Sequence, residues 1–193
     1  MKPNVTKRYL EFVTQSSQQR ILNVLFTYPE KEFSLSDLAK EAGVAKTHIG
    51  EILKKLNQLE IITIIKLAKI WRIKANQQNG NFIKSKIVYN LNFIYQSGLT
   101  EFLNEYFGNP KSIILFGSFR SGEDFSTSDI DIAIESDTEN EYKAIKLFEL
   151  SGFEKIINRN IQIHLFNRKN IDLHVFSNIA NGIVLTGFLD VKP

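Results

Sequence analysis

Residues 129–134 read Asp-Ile-Asp-Ile-Ala-Ile. Successive side chains of a strand point to opposite faces, so this alternation sends Asp129 and Asp131 to one side and Ile130, Ile132 and Ile134 to the other. The isoleucine face needs a core. Carboxylates held among branched aliphatics cost free energy, so two of them in this setting imply something to bind. Upstream, residues 111–116 (KSIILF) form a short apolar run that ends at Gly117-Ser118, as expected of a buried strand feeding a tight turn. Gly117 lets the backbone come close to a ligand and Ser118 adds a hydroxyl and an amide, a combination that suits a phosphate. The two aspartates, about 7 Å apart along the strand, can converge on hard divalent cations carried by phosphate oxygens.

The rest of the chain divides by charge. Residues 1–98 hold 15 Lys and Arg against 7 Asp and Glu, net +8, whereas residues 99–193 hold 9 against 14, net −5. A basic half and an acidic half point to different partners. With 193 residues, 43% of them hydrophobic, the chain has material for two small cores. It has no cysteine, which excludes disulfides, thiolate metal sites and thiol catalysis. The polar start (MKPNVTKRYLEF) and the shortness of every apolar run predict no signal peptide, no membrane span and a cytoplasmic protein.

In the basic half, Ile21, Leu22, Val24, Leu25 and Tyr28 recur at helical spacing and Pro29 ends the run. A second helix is expected from an N-cap at Ser36 to a left-handed turn at Gly43. A third then carries Ile49, Ile52, Leu53, Leu56 and Leu59 on one side. Small Ala39, Gly43 four residues on, then Ile49 and Ile52 resemble the helix-turn-helix of prokaryotic DNA-binding domains. Residues 61–75 follow as two short strands around Leu67-Ala68-Lys69, so the segment resembles a winged helix. That resemblance implies DNA as a partner. Lys46, Thr47 and His48 would face base edges, while Lys54, Lys55, Lys66, Lys69 and Arg72 would meet phosphates. It also admits a homodimer matched to paired half-sites.

The polar stretch NQQNGN at 76–81 marks a boundary, and two further helices are expected, around Phe82, Ile83, Ile87, Leu91 and Ile94 and then around Phe102, Leu103 and Phe107. The expected fold class is α+β in two domains: a winged helix-turn-helix at 1–78, linking helices at 79–109, and at 110–193 a mixed β-sheet with flanking helices.

Gly117-Ser118, ten residues, then Asp129-x-Asp131 resembles the signature of the DNA polymerase beta nucleotidyltransferase superfamily, and GSFRSGEDFSTSDIDI resembles its minimal nucleotidyltransferases. The resemblance implies transfer of a nucleoside monophosphate from an NTP to an acceptor, with release of pyrophosphate. Gly117 and Ser118 would hold phosphates, Arg120 and Ser128 would add contacts to them, and Asp129 and Asp131 would ligate Mg²⁺ or Mn²⁺, two ions in an active enzyme. A third acid is expected on a neighbouring strand. Here that strand is NIQIHLFN, residues 160–167, which offers Gln162 and His164 on the relevant face. Glutamine can ligate Mg²⁺ but cannot act as a base, and a neutral imidazole can act as a base but is a poor Mg²⁺ ligand. Glu135 lies about 13 Å beyond Asp131 by strand rise, too far to join the pair. Asn170 or Asp172 is expected to cap a later helix, with His174 outside the site. Three readings stay open: a nucleotidyltransferase tethered by its winged helix, a DNA-binding regulator that binds nucleotide without turnover, and an antitoxin-like interaction module with a small helical protein partner.

Overall fold

A computed structural model describes residues 16–67 and 70–191. They fall into two compact units that meet in sequence between Tyr89 and Asn90.

The N-terminal unit begins with α1 (Ser17–Thr27), capped by the Ser16 hydroxyl and burying Ile21, Leu25 and Phe26. β1 (Glu32–Phe33) leads into α2 (Leu35–Glu41). The cap of α2 is Ser34 rather than the expected Ser36: Ser34 holds the extended backbone of a cap, and its hydroxyl accepts from the Asp37 amide at 3.1 Å. Gly43 supplies the turn with φ +60°, and α3 (Lys46–Gln58) follows. Ile49, Leu53 and Leu56 are buried, but Leu59 is exposed, because the helix ends there as Glu60 enters the left-handed region at φ +56°. β2 (Ile62–Leu67) and β3 (Ile70–Ala75) pair antiparallel, and β1 adds to β3, giving the sheet order β1-β3-β2. Three helices, a tight Gly turn and a hairpin closing a small sheet make a winged helix-turn-helix.

α4 (Gly80–Gln96) starts under the side chain of Asn79, which accepts from the Asn81 and Phe82 amides. Phe82 packs on Phe26 with ring centroids 5.2 Å apart. α4 runs past Tyr89 into the second unit, where α5 (Leu99–Tyr106) comes next.

The C-terminal unit is built on a five-stranded mixed sheet in the order β6-β7-β5-β4-β8. Its members are β4 (Ser112–Phe116), β5 (Ile130–Glu135), β6 (Lys143–Ile145), β7 (Ile161–Phe166) and β8 (Ile183–Gly187). β5 and β7 are parallel and the other pairs antiparallel. Between them lie α6 (Gly117–Ser121), α7 (Ser151–Ile157) and α8 (Leu173–Ala180), the last capped by the Asp172 carboxylate. Ile130, Ile132 and Ile134 are fully buried, as the alternation requires. Ala133 on the opposite face is also buried, in a cluster with Ile114, Phe166 and Ile179 of α8. α8 therefore covers the middle of that face and leaves Asp131, near the start of β5, partly open, its side chain 25% exposed.

Removing Leu53, which is wholly buried under the helix-turn-helix, leaves a cavity in the smaller core. Leu53→Ala is expected to cost about 2–5 kcal/mol. The single tryptophan, Trp71, lies on β3 of the same unit, so urea unfolding followed by tryptophan fluorescence reports this loss directly.

Candidate functional site

The sheet register decides which of the expected residues meet. Asp131 pairs with Phe116 of β4 on one side and with Gln162 of β7 on the other. Gly117 follows Phe116 with φ +74°, and a Cβ there would stand 2.4 Å from Asp131 Oδ2. The glycine is thus needed twice, for its backbone conformation and for the space the carboxylate occupies. The Gly-Ser turn and the carboxylate form one surface.

The other oxygen of Asp131, Oδ1, lies 3.1 Å from His164 Nε2. His164 Nδ1 lies 2.5 Å from the hydroxyl of Tyr142, just before β6. An ionised carboxylate only accepts, so Nε2 carries the ring proton and Nδ1 accepts from the phenol. Phe116 sets its edge against the imidazole at 4.9 Å between centroids, and Tyr142 stacks on the same ring at 5.8 Å. Burial, and then the negative charge of Asp131, push the Tyr142 phenol above its ordinary pKa.

Asp129 precedes β5, and Asn160 Nδ2 donates to its Oδ1 at 2.9 Å. Beside it opens a cleft of about 350 Å³ walled by Ser126, Thr127, Ser128, Lys155 and Asn160. The Ser128 hydroxyl accepts from the Phe125 amide at 3.0 Å, a bond that shapes the loop carrying it. Behind this loop, Asp124 is buried. It takes Arg159 at 3.3 Å and Asn90 at 2.9 Å, and Asn90 also donates to the Phe119 carbonyl at 2.7 Å. Arg120 and Ser118 are half-buried on α6. Glu135 is buried away from the pair, accepting from Ser112 and facing Arg168. His174 is exposed.

The donor set can be tested against a divalent cation. Asp131 gives a hard oxygen beside the Gly-Ser turn, Asp129 lies two residues before it, and Gln162 is the register partner of Asp131. This suits one Mg²⁺ held by one or two carboxylates together with substrate phosphates. Among the described residues no group of three or more His, Cys, Asp or Glu is placed so as to hold a metal ion.

The model of the nucleotidyltransferase domain family matches residues 97–185. These residues form a nucleotidyltransferase domain. Gly117 and Ser118 follow β4 directly, as the sequence placed them, and Asp131 is on β5, but Asp129 falls just before that strand; Tyr142, Asn160 and the Asp124–Arg159 pair escaped the sequence reading. The solved structures matched include transcriptional regulator Tm0710 from Thermotoga maritima, at 20% identity over 55% of this chain and 82% of that one, TM-score 0.33. MepR, a transcription regulator of the Staphylococcus aureus multidrug efflux pump MepA, matches at 14% identity over 54% and 89%, TM-score 0.33. Transcriptional regulator PA4135 matches at 19% over 53% and 85%, with the same score. No curated protein matches the sequence. No helix among the described residues is long and apolar enough to cross a membrane.

In the winged helix, Lys46, Thr47 and His48 are exposed on the first turn of α3, and Lys54 and Lys55 are exposed further along it. Lys66 lies over the Trp71 ring at 4.4 Å. Arg72, half exposed, pairs through Nε with Glu32 on the adjacent strand, and that contact raises its guanidinium pKa. Lys69 lies outside the described residues. Ile65, Leu67 and Ile70 are exposed large apolar side chains on the wing.

Two outcomes follow for the C-terminal site. Gly117→Ala forces a Cβ into the left-handed region and should cost about 1–2 kcal/mol of stability in urea unfolding followed by circular dichroism. Tyr142, with its pKa raised in the folded state, contributes stability that is present below the ordinary tyrosine pKa and lost as pH rises through the folded value. Tyr142→Phe should therefore flatten the alkaline loss of stability.

Proposed function

We propose that the nucleotidyltransferase domain binds an NTP with Mg²⁺ and transfers its nucleoside monophosphate to an acceptor, while the winged helix binds DNA. The observation that carries the first part is the contact of Gly117 with Asp131, which sets the phosphate turn against the carboxylate that would hold the ion. Gly117 and Ser118 would take the phosphates, and Asp129, kept in place by Asn160, would share the ion with Asp131. Mg²⁺ bound there would offset phosphate charge and stabilise the departing pyrophosphate. Arg120 and Ser128 are near enough in sequence to the turn and the carboxylates to add phosphate contacts.

A second reading rests on Gln162, the register partner of Asp131: an amide in that place supplies neither charge nor base. The domain would then bind nucleotide without turnover and act as a sensor for the DNA-binding unit. The experiment that separates the readings measures labelled NTP binding and pyrophosphate release in the same Mg²⁺ buffer. Binding with release supports transfer, binding without release supports the sensor, and absence of binding sinks both. Asp131→Asn is expected to weaken binding about tenfold, ~1.4 kcal/mol.

For DNA, the exposed first turn of α3 and the lysines behind it support docking in the major groove. Affinity should fall steeply with salt, and charge reversal at Lys46, Lys54 and Lys55 should reduce both affinity and the salt slope in a titration. Unchanged affinity in that variant would overturn the groove assignment.

A further inference from the structure

We propose that Tyr142 is itself an acceptor, so that the chain attaches a nucleoside monophosphate to its own phenol; this rests on the transfer reading above. The observation is a hydrogen-bonded series of three side chains brought from three parts of the sequence. The Tyr142 hydroxyl meets His164 Nδ1 at 2.5 Å, and His164 Nε2 meets Asp131 Oδ1 at 3.1 Å. A nucleophile within reach of a base that is oriented in turn by a carboxylate is the arrangement that activates hydroxyl groups in covalent catalysis.

Each part is fixed by packing. β6 pairs with β7 so that Ala144 lies opposite His164, which places Tyr142, two residues earlier, over the same ring. Phe116 closes the imidazole from β4, and Asp131 holds the tautomer that leaves Nδ1 open to the phenol. Tyr142 keeps 38% of its surface exposed, so the residue is not sealed into the core. The phenol does not ionise readily in this setting, being held above its ordinary pKa by burial and by Asp131, so it needs a base in contact, and His164 is that base. His164, two residues beyond Gln162 on β7, is thereby a base already holding its own hydroxyl.

The step balances. Tyr142 Oη forms a bond to the α-phosphorus of the NTP, its proton passes to His164 Nδ1, and the bond from the α-phosphorus to the bridging oxygen breaks. Pyrophosphate leaves. The product is a phosphodiester between tyrosine and nucleoside, with no change of oxidation state.

The full chain is incubated with each of the four common NTPs, labelled at the α-phosphate, and Mg²⁺, and is then examined by intact mass and peptide mapping. One nucleoside monophosphate on Tyr142 is expected. Tyr142→Phe, which removes only the hydroxyl, should abolish the label while keeping NTP binding, and His164→Gln should slow labelling about 100-fold. In the nucleotide-free protein, Tyr142→Phe should shift the His164 ring resonances, a readout independent of turnover. Pyrophosphate release without a label on Tyr142, equal labelling of the phenylalanine variant, or unmoved His164 resonances would each overturn this inference and leave the transfer reading standing. NTP binding with neither label nor release would overturn both and leave the sensor.

Discussion

The carboxylate of Asp131 is the point to which the nucleotidyltransferase domain is built. One oxygen lies against the backbone of Gly117 and the other on His164, so it fixes a turn after β4 and a ring on β7 at once. A partly buried carboxylate must be satisfied or it raises the free energy of the fold. Here the imidazole satisfies it, and the sheet register places both within reach. Because β5 and β7 are parallel, the strand carrying His164 can come alongside only after a long crossover, which contains β6 and α7. Tyr142 rides on that crossover, so the same topology that brings the base brings the phenol.

The surroundings are held by a second polar group of greater cost. Asp124 and Arg159 form a buried pair, their side chains 1% and 2% exposed, and a pair so desolvated is weak evidence of net stability. Its value lies in specificity of position. Asp124 is tied to Arg159, next to the start of β7, and to Asn90 of α4, while Asn90 also holds the carbonyl of Phe119 in α6. The loop from Gly122 to Asp129 is therefore fixed at its root. Loss of one member would leave an uncompensated buried charge, whereas exchange of the pair for apolar residues would free the loop.

The elements with a strong period or a strong stop were legible in the sequence. The Gly43 turn stands as read, the alternation holds along β5 from Ile130 although Asp129 falls just before the strand, and of the two caps the sequence offered, Asn170 and Asp172, the helix takes Asp172. The errors were also local. Ser34 and Ser36 are equally good caps by residue type, and only the backbone chooses between them. Leu59 continues the helical period one step past the point where Glu60 turns the chain. What could not be read were pairs joined by tertiary structure alone: Asn160 to Asp129, Arg159 to Asp124, Glu32 to Arg72 and Tyr142 to His164. Each unites residues more than twenty positions apart, and no spacing rule links them. Gln162 and His164 were placed correctly on one face of β7, but which of them would touch Asp131 depended on side-chain reach across the register.

The register between β5 and β7 has a consequence for the history of such a site. Gln162 is only half-buried and sits beside Asp131 without being required by the core. Either glutamine codon is one base away from a glutamate codon. A lineage carrying this scaffold could therefore gain or lose a third acid in a single mutational step, with the strand, the turn and the ring left in place.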